Sequence, residues 1–321
     1  MDSPRITVCL PTYNRSSFLE QTLPTILNQS YSDFRLLVCD DGSTDGTQHF
    51  LRSINDSRVL ILPSDHHRGW PEVINYLLKN AKTEFIAIFH DHDLYEPGLI
   101  ESSISLLDTY TSAVFSFTGC SWIDESERTV ATFIPFPKEF ILGSELVKRL
   151  VIKTACPICA SSVLIRRAVL EKVGFFDPRF GFSGDLDLYI RLSLLGDAVF
   201  VRRSVVRVRT WSHSERITKA NWEYIRRNRE VRLENCQRVL PDKQIIRLLW
   251  LVWIRLKYLE IFAREALSYW SHGDRNSLLK GAEALELHSL HPLRAWLAML
   301  AFSTPLGRQL GLFRRSLREG R

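Results

Sequence analysis

Over residues 6–208, short β-like runs alternate with segments of helical period, and this alternation constrains the fold more than any other feature of the chain. A chain that repeats strand and helix in this way builds a mainly parallel sheet covered by helices. Residues 6–10 read as the first strand, and 16–28 as a helix with Phe18, Leu19, Leu23, Ile26 and Leu27 on one face. Residues 34–39 give the second strand, which runs into a polar octet at 40–47 with the composition of a turn and a helix start. Residues 59–62 form a third strand, 72–81 a helix with Val73, Ile74, Leu77 and Leu78 inward, and 85–89 a fourth strand. Beyond these, 113–118 and 162–165 look like strands with a less regular stretch between them, 185–195 is helical, and 198–208 holds one or two further strands.

From about residue 220 the pattern becomes wholly helical and basic, so we expect a catalytic domain over 1–220 and a helical extension over 221–321. Residues 201–321 carry 24 Lys and Arg against 11 Asp and Glu, whereas residues 1–200 carry 18 against 25. A basic tail implies an anionic partner. Between 245 and 267, Trp250, Trp253, Tyr258 and Phe262 are interspersed with Arg247, Arg255, Lys257 and Arg264. Such a helix suits an anionic membrane surface, with its cations reaching outward, or equally a face packed on the catalytic core or on a second subunit in a homodimer. The longest uncharged C-terminal stretches, 248–254 and 295–307, fall short of the roughly 20 residues of a spanning helix. The first residues have no secretory pattern. Six cysteines, several inside apolar runs, point to a reducing compartment. We therefore expect a cytoplasmic protein, peripheral on the inner face of the membrane. Cys156-Pro157-Ile158-Cys159 has the spacing of half a zinc site but lacks a second pair.

The chemistry concentrates at strand ends. The apolar run 85–90 finishes in Asp91-His92-Asp93. If the strand continues to 93, alternation puts the two aspartates on one side and His90 and His92 on the other. Paired carboxylates at the C-terminal end of a strand suit a divalent cation held against phosphate oxygens, though they would also serve as a polar cap before the turn at Glu96-Pro97-Gly98. Pro11-Thr12-Tyr13-Asn14-Arg15 sits where the first strand meets a helix, and Asp40-Asp41 ends the second strand beside the same crevice. No glycine fingerprint for a dinucleotide and no phosphate-loop lysine occurs, so a nucleotide would be held by side chains and a metal.

Taken in order, Pro11 to Arg15, Val38 to Asp45, Asn75, Asp91-His92-Asp93, Gly174-Phe175-Phe176-Asp177 and Asp185-Leu186-Asp187-Leu188 resemble the inverting family 2 glycosyltransferases of the GT-A fold, over roughly residues 4–215. The resemblance implies a GT-A-like, Rossmann-like mixed sheet, mainly parallel and flanked by helices. It also implies a nucleotide-diphosphate sugar donor (UDP-sugar ahead of dTDP- or GDP-sugar), Mn²⁺ or Mg²⁺, and a glycan or lipid-linked glycan acceptor. Nucleic acid is not expected as a partner. Carried over by residue, Pro11, Thr12, Tyr13, Asn14 and Arg15 surround the nucleotide, Asp41 binds the base, and Arg68 reaches the base or the phosphates. Asp91 and His92 contact the donor, Asp93 is the direct metal ligand with Asp91 and His213 beside it, and Asp185 is the general base. Trp70 and Trp211 wall the sugar pocket. Three positions depart from the family pattern: Leu94 replaces an acid, Gly184 replaces the usual Glu before the base, and Arg68-Gly69 replaces an Asn-containing turn. Asp185 would also serve as a helix N-cap. Two other functions fit parts of the pattern, a metal-dependent phosphoesterase built on residues 90–93 and an inactive scaffold that keeps the fold.

Overall fold

The computed structural model describes residues 4–64, 66–209, 215–240 and 243–271. The chain divides into two compact units, Met1–Ser212 and His213–Arg321, with the division a few residues before the expected boundary at 220. In chain order the first unit reads β1 (Ile6–Thr12), α1 (Ser16–Leu27), β2 (Phe34–Asp40), α2 (Thr47–Ser53), β3 (Val59–Leu62), α3 (Trp70–Asn80), β4 (Phe85–Ile88), β5 (Leu94–Tyr95), α4 (Leu99–Thr109), β6 (Ala113–Ile123), β7 (Thr129–Phe133), β8 (Phe140–Ile141), α5 (Gly143–Ile152), β9 (Val163–Arg166), α6 (Arg167–Val173), α7 (Gly184–Leu195) and β10 (Asp197–Arg209).

One sheet runs through the unit in the order β3-β2-β1-β4-β9-β6-β10-β5, with β7 paired to β6 and β8 to β10. β1 is buried at every residue and lies parallel to β2 on one side and β4 on the other. Strands covered on both faces need apolar side chains on both, which is why β1 and β4 read as continuous apolar runs and not as alternation. The helices supply the cover: Leu19, Leu23 and Ile26 of α1 and Val73, Ile74, Leu77 and Leu78 of α3 are buried at the helical spacing expected for an inward face. From β1 the chain winds outward to β3, then returns to the other side of β1 as β4. That reversal opens a crevice at the carboxyl ends of β1 and β4, where open α/β sheets bind ligands.

Beyond β4 the sheet is mixed, because β9 runs antiparallel to both β4 and β6 while β10 runs parallel to β6. The irregular stretch after residue 118 holds the continuation of β6 to Ile123, then a return strand, β7, which is exposed along nearly its whole length, and after it β8 and the helix α5. An exposed edge strand has no buried face to impose alternation, so its sequence carries no strand signal. Residues 197–209 form one strand with register shifts around Val201 to Val206. Two glycines close the packing here: a Cβ at Gly143, the start of α5, would stand 2.2 Å from the Gly196 carbonyl oxygen, and one at Gly196, before β10, would stand 2.3 Å from Val114 Cγ1 of β6.

The second unit contains α8 (Glu215–Val239) and α9 (Gln244–Ser271), which pack on each other. Buried Arg232 donates to Asn228 Oδ1 and to the Tyr258 hydroxyl, each at 2.8 Å. Ile254 and Tyr258 of α9 are buried, whereas Ile245, Leu249, Val252 and Leu256, spaced to share the opposite face, are exposed. No described helix is long and apolar enough to cross a membrane. The six cysteines are unpaired.

Candidate active site

A cleft of about 710 Å³ is lined by residues from the carboxyl ends of β1, β2 and β4 and from the start of α7. Pro11, Thr12, Tyr13 and Arg15 contribute one wall. Asn14 adopts a left-handed φ of 51°, which asparagine tolerates better than most residues. Its N–H donates to Ser43 Oγ and its Oδ1 accepts from the Thr44 N–H, both at 2.8 Å, while Asp40 accepts from the Ser43 hydroxyl and N–H. Asn14 and Asp40 therefore fasten the loops after β1 and β2 together, and neither is among the lining residues.

Asp41 does line the cleft. Its buried carboxylate accepts from the N–H groups of Arg68 at 2.7 Å and Gly69 at 2.9 Å, and His67 Nδ1 lies 2.9 Å from Oδ2. Gly69 has a φ of 83°, so the turn at 67–69 needs glycine there. A carboxylate has about four acceptor positions, which leaves capacity for a ligand N–H. The Arg68 guanidinium lies 4.9 Å over the Tyr76 ring and is not among the lining groups. The His67 and Tyr13 ring centroids lie 4.3 Å apart at a tilt of 34°, so the two rings share the cleft wall.

At Asp91-His92-Asp93 the structure corrects the sequence expectation. β4 stops at Ile88 and the chain turns at Asp91 and His92, so strand alternation no longer applies. Ligand atoms of His90, His92 and Asp93 instead lie within 4.8 Å of one another. One neighbouring residue and one distant one hold this turn. The Tyr95 hydroxyl accepts from the His90 N–H at 2.7 Å, and Arg209, at the end of β10, donates from Nη1 to the His92 carbonyl at 2.6 Å and from its backbone to Asp93 Oδ1 at 3.2 Å. Asp93 is fully buried and also accepts a short bond from the Ser161 hydroxyl, whereas His90, Asp91 and His92 line the cleft.

Burial pushes the His90 imidazole below its usual pKa, against the pull of Asp93. Burial acts the same way on His92, but the 2.9 Å contact with Asp91 and the charge of Asp93 outweigh it and raise the pKa. His90 Nε2 is buried without a hydrogen-bond partner, an arrangement that costs about 1–3 kcal/mol unless something binds there. Two imidazoles and a carboxylate around an orphaned nitrogen fit a divalent cation. Among the described residues this is the one group of metal-capable side chains. His213 and Trp211 lie outside the described residues.

Asp185 reaches the cleft from the first turn of α7. Ser183 occupies the N-cap position, so Asp185 stands one step inside the helix, where the positive end of the helix dipole favours its charged form. Its Oδ1 accepts from the Leu186 N–H at 2.7 Å. Asp187 is buried and paired at 2.7 Å with Arg191, which donates to the carbonyls of Val173, Gly174 and Phe175 and so fixes the preceding loop. Gly184 has a local reason: a Cβ there would come within 3.3 Å of the Phe176 ring. Tyr95, Arg209, His67 and Phe182 all shape the site, yet none was singled out in the sequence, because isolated loop residues and strand ends carry no periodic signal.

A sheet that reverses at β1, with acidic groups at the carboxyl ends of its strands and a further aspartate entering on α7, has the arrangement of a GT-A-like α/β fold. Residues 7–174, just over half of the chain, match the family model for glycosyl transferase family 2, and the chain belongs to that family. It is 27% identical over 197 residues, covering 61% of this chain and 72% of the relative, to the UDP-Glc:alpha-D-GlcNAc-diphosphoundecaprenol beta-1,3-glucosyltransferase WfgD of Escherichia coli. An uncharacterized glycosyltransferase of Rickettsia typhi is 24% identical over 64% of each chain, so this chain spans less than two thirds of that relative's length. Among solved structures, S. aureus TarS in complex with UDP superimposes with a TM-score of 0.59 at 16% identity, over 99% of this chain and 92% of that one. The mannosyltransferase PcManGT from Pyrobaculum calidifontis, in complex with GDP-Man and Mn²⁺, gives 0.54 at 16% identity over 98% and 86%. At such identities the likeness concerns the fold.

Proposed function

We propose that the protein transfers a sugar from a nucleotide-diphosphate sugar to an acceptor hydroxyl, with inversion at the anomeric carbon and Asp185 as general base. One observation carries this reading: Asp185 lines the same cleft as Thr12, Tyr13, Asp41 and Asp91, so one cavity holds a carboxylate for the acceptor beside the residues proposed for the donor. Tyr13 and His67 offer ring faces to a base, Asp41 offers acceptor capacity to its N–H, and Asp91, which lines the same cleft, takes the ribose. His90, His92 and Asp93 would hold Mn²⁺ or Mg²⁺, and imidazole nitrogens favour the transition-metal ion. A bound cation supplies Lewis-acid stabilisation of the departing diphosphate. Asp185 then takes the proton of the attacking hydroxyl as its oxygen bonds to the anomeric carbon, and the electron pair of the broken bond leaves on the nucleoside diphosphate.

The E. coli relative is named for a UDP-glucose donor and a diphosphoundecaprenol-linked acceptor, and TarS was solved with UDP. These support a UDP-sugar and a lipid-linked glycan here. Ligands that bind only the folded state raise its stability. UDP-glucose or UDP-N-acetylglucosamine with Mn²⁺ is therefore expected to raise the melting temperature, dTDP- and GDP-sugars less so, and all of them less without the cation. A panel without any shift counts against the donor assignment. The phosphoesterase reading gains from the convergence of His90, His92 and Asp93, but a two-metal centre needs a second ligand group, and the described residues contain no other.

A lipid-linked acceptor places the enzyme at the inner face of a membrane, and α9 is suited to that surface. Its exposed face of Ile245, Leu249, Val252 and Leu256 includes Trp253 at the edge, with Lys257 Nζ 5.0 Å from the Trp253 ring, and Lys243 and Arg255 are exposed beside it. Each large apolar side chain buried in the interface contributes about 1.5–3 kcal/mol. The double substitution Leu249→Glu and Trp253→Glu is expected to weaken binding to phosphatidylglycerol vesicles at least about tenfold, read by flotation at low salt. Parent protein that ignores such vesicles would remove the membrane assignment and leave glycosyl transfer untouched.

A further inference from the structure

Phe182 is 68% exposed and lines the catalytic cleft three residues before Asp185. A phenyl ring held in water contributes little to folding, and this one is presented by a sharp backbone excursion: Gly181 before it has φ 53° and ψ −130°, with nothing within 4 Å of where a Cβ would stand. The ring does not stand alone. Trp70, also in the lining, lies 5.9 Å from it at an interplanar angle of 41°, and Trp70 meets Phe176 edge-on at 5.1 Å and 89°. Phe176 is in turn pinned by Asn75, whose side chain accepts from its N–H at 3.0 Å and donates to its carbonyl at 2.8 Å. An exposed aromatic surface is thus built on a fixed base, and it stands beside the proposed general base.

We propose that Phe182, with Trp70 as its second wall, is the platform on which the acceptor is received, and that the acceptor's reacting unit is a pyranose sugar. This rests on the assignment of Asp185 as the base. The axial C–H bonds of a pyranose form an apolar, weakly positive face that complements the negative face of an aromatic ring, while its equatorial hydroxyls point outward from the rim. A sugar lying on Phe182 therefore keeps its hydroxyls free to meet a carboxylate, whereas an aliphatic alcohol or a peptide hydroxyl presents no such face to the ring. Rigid rings also lose little conformational entropy on binding, so a two-ring wall suits a weak, exchanging acceptor.

The test is saturation-transfer NMR on the full-length protein with UDP and Mn²⁺ present, using methyl glycosides of glucose, galactose, mannose and N-acetylglucosamine as probes. Expected is transfer to the C–H protons of one pyranose face for at least one probe, a roughly tenfold weaker apparent affinity in Phe182→Ala, and recovery in Phe182→Trp. Melting temperatures of the variants establish that the fold is intact, since the ring is exposed. Equal transfer in parent and Phe182→Ala, failure of Phe182→Trp to recover, or no transfer to any probe while UDP still binds overturns the platform alone. If UDP itself does not bind the parent, the donor assignment falls and the platform with it.

Discussion

Asp185→Asn is expected to slow sugar transfer by about 10²–10⁴-fold, the usual contribution of a positioned base, while leaving donor KM close to the parent value. The amide matches the carboxylate in shape and can still accept from the Leu186 N–H, so α7 keeps its start. It cannot take up the proton of the attacking hydroxyl. An ordinary aspartate is ionised at neutral pH and can accept that proton. Asp187→Asn makes a useful contrast. That carboxylate is buried against Arg191, so its loss should appear chiefly as a lower melting temperature and a loosened Phe175 loop. If Asp185→Asn transfers sugar at the parent rate, the base is another group.

Removing divalent cations is expected to have a comparable effect. Stabilising the charge on a departing diphosphate is worth several kcal/mol, so dialysis against EDTA should lower transfer by about 10³-fold or more, and added Mn²⁺ should restore it. Asp93→Asn tests the placement of the cation. The amide oxygen still accepts from the Arg209 N–H, so the turn survives, but the negative charge at the centre of the His90–His92–Asp93 group is gone. The expected signature is a higher Mn²⁺ concentration for half-maximal activity. Full activity in EDTA would contradict the cation role outright.

How legible the molecule was in its sequence follows from the range of the interactions involved. The inward face of α3 and the buried length of β1 were readable, because apolar patterning is a local consequence of a buried core, and β3, though half-exposed at the sheet edge, was readable as a short run of four apolar residues. β7 was not, since an exposed edge imposes no pattern. At the site, Asp41, Asp91 and Asp185 were visible as acids at element ends, and all three line one cleft. The histidines were misplaced. Extending β4 by alternation separated them from the aspartates, and nothing local reveals that Arg209, 117 residues beyond His92, holds the turn. The turn at Arg68-Gly69 was visible, but its anchor was hidden, because Asp41 holds it across the sheet end through two backbone N–H groups.

The central claim is that this cleft transfers a sugar with inversion, and proton NMR of the product formed from an α-linked UDP-sugar and a pyranoside-containing acceptor tests it most directly. The account predicts a new β-glycosidic linkage, formed with the parent protein and lost with Asp185→Asn. An α-linkage, or release of free sugar or phosphate with no new glycosidic bond, would contradict it.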